Sequence, residues 1–312
     1  MPVKSDIRHP TSETDPKFEF RNLAAIGSRD FGQDSDLELR ASASSAPRAR
    51  GLPRSTLPII RQPLLRWFTW YSRRYLCRHF HSLRVSRSGR PPASALPLVV
   101  YSNHASWWDP LVWLVLKAEF FPGRKSFSPI DGAALQRYGM FRNFGFFGVE
   151  PGTRRGATQF LRSAEAILRD PGHLLALTPQ GRFADARERP LRFQAGLGHL
   201  ATRGQAAAYV PMAAEYVFWE ERLPEILVRF GDPLEIQAPP AAAFDPEYWT
   251  GLFEQRLAAT LDALAVEALR RDPDDFQVVL RGGAGQGGVY DWWRSLKAGL
   301  RGEAFTREHG RK

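Results

Sequence analysis

The sequence predicts an α/β protein: a mixed, largely parallel sheet flanked by helices. Two observations carry this. From residue 96 to 271, short apolar runs alternate with helical patterns, the signature of strands joined by crossover helices. The chain has 312 residues, 43% apolar and 24% charged, which suits a packed globular core and excludes collagen-like, coiled-coil and wholly disordered classes.

In order along the chain, LPLVVYS (96–102) reads as a strand and PLVWLVLKAEF (110–120) as a helix. RRGATQFLRSAEAILRD (154–170) reads as a second helix, and HLLALT (173–178), AAYVPMAAEYVF (207–218) and EILVRF (225–230) as further strands. A helix from about Pro246 to Arg271, with apolar Leu252, Phe253, Leu257, Leu261, Leu264 and Leu269, closes a domain at 91–275. Residues 1–56 are polar and include the low-complexity ASASSAPRARGLPRS, so they read as a disordered or loose tail. Residues 276–312 read as a glycine-rich hinge followed by a helix in VYDWWRSLKAGL.

The formal charge of +10 is concentrated. Residues 39–108 hold twelve Arg and no Lys, Asp or Glu, so the rest of the chain is close to neutral. Within this stretch, residues 57–90 form one unit, with LLRWFTWYSRRYLCRHF (64–80) reading as a basic, aromatic, amphipathic helix. Its Leu64, Leu65, Trp67, Phe68, Tyr71, Tyr75 and Leu76 share a broad arc, with Arg66 and Arg73 opposite. Such a segment suits an anionic membrane surface. No apolar run approaches the ~18 to 20 residues of a spanning helix. The first 30 residues show no secretory or transit signal, so the expected location is the cytoplasm, peripheral on the inner face of the cell membrane.

Cys77 is the single cysteine, which excludes an intramolecular disulfide and a cysteine-based zinc cage. His79 and His81 have no carboxylate within 25 residues on either side, so no metal is expected there. Gly283, Gly285 and Gly288 spell G-x-G-x-x-G, but only 24 residues follow, too few for the second half of a dinucleotide-binding βαβ unit.

The string that carries chemistry is YSNHASWWDP (101–110). His104 and Asp109 are five residues apart, about 140° around a continuous helix, so their side chains can meet only across a turn. Asp109 before Pro110 suits a helix N-cap, which would start the helix there and leave 104–108 free to curl back. At the mouth of a parallel sheet the pair suits a general base and its orienter, imidazole with a pKa near ~6.5 and a carboxylate fixing its tautomer. The sequence has no G-x-S-x-G elbow, which argues against Ser106 as a nucleophile.

These residues resemble the glycerolipid acyltransferases of the lysophosphatidate acyltransferase type, whose hallmark is N-H-x-x-x-x-D after a strand. GFFGVEPGTRRGA (145–157), LTPQGRFAD (177–185) and YVPMAAEY (209–216) are similar, in order and spacing, to the family's second, third and fourth blocks. The resemblance covers about 95–232 and implies a glycerol-3-phosphate acyltransferase-like fold. It also implies acyl transfer from acyl-CoA or acyl carrier protein to the hydroxyl of a lysophospholipid or related lipid, with no cofactor. By the same resemblance Arg154, Arg155, Gln180, Gly181 and Arg182 are implied in acceptor binding. The third block departs from the family: Gln180 stands where the family has Glu, and Arg182-Phe183 replaces its Thr-Arg. In the second block the arginine is displaced to Arg154 and Arg155. The altered third block leaves open an unusual acceptor such as a glycolipid. A competing reading is a non-enzymatic nucleic-acid or anion-binding module built on 57–90. It explains the charge but not the ordered blocks, so no nucleic-acid partner is expected.

Overall fold

The computed structural model describes residues 57–203, 205–237 and 245–284. Among them, nine strands form one sheet in the order β4-β3-β5-β2-β6-β7-β1-β9, with β8 paired to β6. The strands are β1 (Ser82–Ser86), β2 (Leu98–Ser102), β3 (Lys125–Asp131), β4 (Phe146–Val149), β5 (His173–Leu177), β6 (Ala207–Val217), β7 (Glu225–Phe230), β8 (Leu234–Ile236) and β9 (Phe276–Arg281). Pairing is parallel from β4 through β6. It is antiparallel between β6 and β7, parallel between β7 and β1, and antiparallel again at β9. The architecture is thus the expected mixed, largely parallel sheet between helices.

The two sheet faces follow from residue parity along each strand. Leu98 and Val100 of β2, Leu174 and Ala176 of β5, and Ala208 and Val210 of β6 face one layer. That layer is made by α1 (Gln62–His79) and α2 (Asp109–Phe120). Val99 and Tyr101, Leu175 and Leu177, and Tyr209 face the other. There they meet α4 (Arg154–Ile167), α5 (Gly196–Ala201) and α6 (Pro246–Arg270), while the short α3 (Gly132–Arg137) lies at the β3–β4 end. Burial on both faces is why β2 and β5 read as continuous apolar runs. Helix α6 buries Phe253, Leu257, Leu261 and Leu264 along one stripe, as read from the sequence, and Trp249 joins them, while Leu252 is only half-buried and Leu269 is 82% exposed.

Helix α1 occupies 62–79, close to the expected span, and Phe68 and Leu76 are buried while Trp67 and Trp70 remain exposed. The other half of the 57–90 unit differs from expectation. Residues 82–86 are a fully buried strand inside the sheet, hydrogen-bonded to both β7 and β9. The sheet accepts this Arg-containing strand because Arg84 Nε donates to the buried carboxylate of Glu225 at 3.0 Å and its guanidinium lies over Trp219. The sheet therefore extends past both ends of the expected 91–275 unit, taking in β1 and β9. Of the glycine-rich motif, Gly285 and Gly288 lie outside the described residues, as do residues 1–56 and the helix read in 289–300. No helix among the described residues is long and apolar enough to cross a membrane.

Candidate active site

Strand β2 leaves the sheet at Ser102, and Asn103 makes the exit sharp. Its buried amide stands in for one more residue of ladder: Nδ2 donates to Ala214 O and Oδ1 accepts from Ala214 N, both at 2.9 Å. The main chain is then free to turn at His104, whose carbonyl accepts from Ala184 N at 2.9 Å. His104 N donates to Gln180 Oε1 at 3.4 Å.

His104 and Asp109 meet across the turn: Nδ1 lies 2.7 Å from Asp109 Oδ2. With Nδ1–H donating to the carboxylate, Nε2 carries the lone pair. The carboxylate is held from two further directions. Oδ2 accepts from Ser106 N at 3.1 Å, and Oδ1 accepts from the phenol of Tyr216 at 2.5 Å. Ser106 itself serves the turn, its carbonyl accepting from Asp109 N and its Oγ from Trp108 N. The N-cap expectation is corrected here. Trp108 is the N-cap, Asp109 is the first helical residue, and the carboxylate points back to the loop because the imidazole, Ser106 and Tyr216 outbid the helix amides. Its place in the first turn still puts a negative charge at the favourable end of the α2 dipole.

Burial raises the Tyr216 phenol well above its ordinary pKa, and the Asp109 charge adds to this, so it is a neutral donor at ordinary pH. An aromatic wall fixes the loop: Trp107 stacks on Trp108 at 4.0 Å, and Trp108 meets Tyr75 and Phe80. On the other side, the Phe183 ring lies 4.2 Å from the imidazole while 58% of Phe183 is exposed. His104 retains 22% of its side-chain exposure.

The loop after β5 runs beside His104 because β5 pairs with β2 up to Leu177 opposite Tyr101. Gly181 takes a left-handed φ of +66° in a tight turn closed by its N–H to Thr178 O. Gln180, expected to face the acceptor, is turned inward and only 2% exposed. Its amide explains why: Nε2 donates to Leu191 O at 3.2 Å while Oε1 receives His104 N, a donor-and-acceptor task that an ionised carboxylate could not do. Arg182, implied by the resemblance in acceptor binding, is exposed but forks onto Glu188 through both terminal guanidinium nitrogens. That pairing lowers the Glu188 carboxyl below its ordinary pKa.

Arg154 and Arg155 open α4, which follows β4, two strand positions beyond β5 in the sheet. Thr153 caps that helix, its Oγ1 accepting from Gly156 N at 2.9 Å. Gly156 is required, since a Cβ there would lie 1.9 Å from Glu150 O. Both arginines are exposed, and Arg155 Nη1 is 4.0 Å from Glu150 Oε1. Strand β4 is three positions from β2 in the sheet, about 14 Å at ordinary strand spacing. The structure therefore brings His104, Asp109, Gln180 and the Gly181–Phe183 turn together, with Arg154 and Arg155 on the same edge at a distance.

Sequence reasoning did not single out Asn103, Phe183 or Tyr216 as working residues. For Tyr216 the signal lies in the strand register, which local sequence patterning does not carry. Tyr216 shares parity with Val210, Met212 and Ala214, and β6 outruns its β2 partner, which ends opposite Met212. A polar-tipped aromatic on that overhang lies beside the β2 exit loop, where its hydroxyl meets Asp109.

No family model and no curated protein matches this chain. Among solved structures it is similar to the 1-acyl-sn-glycerophosphate (LPA) acyltransferase PlsC from Thermotoga maritima, at 13% sequence identity and a TM-score of 0.41, covering 68% of this chain and 81% of that one.

Proposed function

We propose that the protein is an O-acyltransferase that moves a fatty acyl group from an acyl thioester, acyl-CoA or acyl carrier protein, to the hydroxyl of a lysophospholipid or related lipid. The observation that carries this reading is the 2.7 Å contact of His104 Nδ1 with Asp109 Oδ2 at the exit of a parallel strand. In the proposed step, Nε2 takes the acceptor's hydroxyl proton as its oxygen bonds to the thioester carbonyl carbon. Collapse of the tetrahedral intermediate breaks the C–S bond, and the imidazolium returns the proton to the leaving thiolate. Asp109 holds the tautomer and stabilises the imidazolium, as in hydrolase triads, without a covalent enzyme intermediate or a cofactor.

On this reading the acceptor's anionic group lies against the turn at Gly181 and Arg182, with Arg154 and Arg155 further along the edge. Arg182 must then exchange the Glu188 carboxylate for the ligand's phosphate or similar oxyanion, both of which a guanidinium fork can hold through two bonds. The enzyme would work from the inner face of the membrane. Arg66, Trp67, Trp70, Arg74 and Arg78 are all exposed on α1 and fall within about 120° of one another. Ile59 and Arg61 are exposed just before the helix. Basic and aromatic residues on one face suit anionic headgroups. The same face supports the competing nucleic-acid reading, which co-sedimentation separates: low-salt binding to anionic vesicles supports the lipid reading, and tight single-stranded nucleic-acid binding without vesicle binding supports the other.

The test of the reaction is lipid mass spectrometry of cells carrying the wild-type protein or His104→Ala. A lipid that gains one acyl chain only with the wild type is the expected product, and turnover should fall at least ~10²-fold in a folded His104→Ala variant. Activity kept in that variant overturns the assignment.

A further inference from the structure

We propose that Tyr216 is a positioning residue for the His104–Asp109 pair, its phenol setting how much negative charge Asp109 presents to the imidazole. The proposal rests on the general-base reading above. The geometry divides the carboxylate in two: Oδ2 faces His104 Nδ1 and Ser106 N, while Oδ1, among the described residues, accepts only from the phenol, at 2.5 Å. Tyr216 lies two residues past Ala214, the residue that Asn103 ties to the β2 exit, so one strand register fixes both the phenol and His104. Its ring packs against Phe80 at 5.7 Å, which leaves the hydroxyl little freedom to swing away.

A short hydrogen bond from a neutral phenol to a carboxylate is charge-assisted and draws electron density toward the bonded oxygen. With the phenol in place, Oδ2 carries less charge and stabilises the imidazolium less than a carboxylate without that donor would. Without it, the charge facing Nδ1 grows and the His104 pKa rises. The other charges on the segments that meet His104 are Arg182 with Glu188, Asp185 with Arg187, Arg189 with its partner Asp262, and Arg192, on the loop after β5, and Glu215 on β6. A change at Tyr216 leaves all of them in place. A merely structural Tyr216, there to fill space and satisfy its own hydroxyl, would not move the imidazole titration.

The experiment is an NMR titration of isotope-labelled histidine in the full-length protein, with the His104 resonance assigned by its loss in His104→Ala. In Tyr216→Phe, which keeps the ring and removes the donor, the His104 pKa is expected to rise by about half to one pH unit. The acidic limb of the kcat/KM profile should rise by the same amount. 3-Fluorotyrosine at 216, a more acidic phenol of nearly the same shape, should move the His104 pKa down, and it decides the matter alone if Tyr216→Phe does not fold. An unmoved His104 titration in a folded variant, or a shift of opposite sign, overturns the proposal. Activity retained in His104→Ala alongside these shifts would instead remove the general-base reading and leave the coupling standing.

Discussion

Replacing Asn103 with alanine removes two hydrogen bonds at once and leaves their backbone partners with nothing in exchange. Ala214 N and O each bond to the Asn103 amide at 2.9 Å, and Ala214 is 4% exposed, so water does not readily take over. A buried backbone group left unsatisfied costs about 1–3 kcal/mol, which puts the pair at about 4 kcal/mol if both stay dry and about 2 if the strand end opens. At a urea m-value of about 3 kcal/mol/M, the midpoint of unfolding should fall by about 1 M with the slope unchanged. Because His104 is the next residue, the activity loss should exceed what the lost stability explains: a displacement of about 1 Å at a reacting group costs up to about 10²-fold in turnover. The assay is equilibrium urea unfolding followed by fluorescence, with initial rates measured well below the transition. Asn103→Asp keeps the acceptor for Ala214 N but sets a carboxylate against Ala214 O, so it should do no better than alanine. A midpoint shift under about 0.2 M for Asn103→Ala would refute the idea that this side chain continues the β2–β6 ladder.

Two further changes test the outer parts of the site. Glu188→Ala frees the Arg182 guanidinium, so KM for an anionic acceptor should fall several-fold, while Arg182→Ala should raise it; steady-state kinetics with acceptor varied at saturating donor that show neither change would remove Arg182 from the acceptor site. Trp67→Ser with Trp70→Ser deletes the exposed aromatic area of α1, about 2 kcal/mol of burial in a bilayer, so partitioning onto anionic vesicles should drop about 30-fold in a sedimentation assay. Unaltered partitioning would place the membrane contact elsewhere.

What the sequence made legible follows from locality. Strands β2, β5, β6 and β7 are sandwiched between helix layers and announce themselves as apolar runs, and the stripe on α6 shows at helical spacing. Strand β1 gave no such sign. SLRVS sits in an Arg-rich stretch, and what makes it a core strand is Glu225, more than 140 residues away, neutralising Arg84 in the interior. Strand β3, KSFSPID, carries Lys, Pro and Asp and is only partly buried, so no run forms. The same divide runs through the site. His104 and Asp109 were readable because a five-residue spacing after a strand limits how they can meet. Asn103 and Tyr216 draw their roles from the pairing of β2 with β6, over 100 residues on, and Gln180 reads as an acceptor-binding residue although its two hydrogen bonds turn it inward.

The place of β1 between β7 and β9 bears on how the chain is made. Ser82 pairs with Glu225 on one side and with Arg281 on the other. During vector-like synthesis from the N-terminus, β1 emerges early but waits some 140 residues for its first neighbour and nearly 200 for its second. Closing such distant pairs is slow compared with local structure. Until β9 arrives, the far edge of β1 offers unpaired amides and carbonyls beside the emerging aromatic helix α1, so the nascent chain carries an open strand edge next to an apolar surface for most of its translation. A chain stopped at residue 275, where sequence patterning alone would draw the domain boundary, would carry that edge permanently. The last strand in the sheet thus acts as a latch on the first.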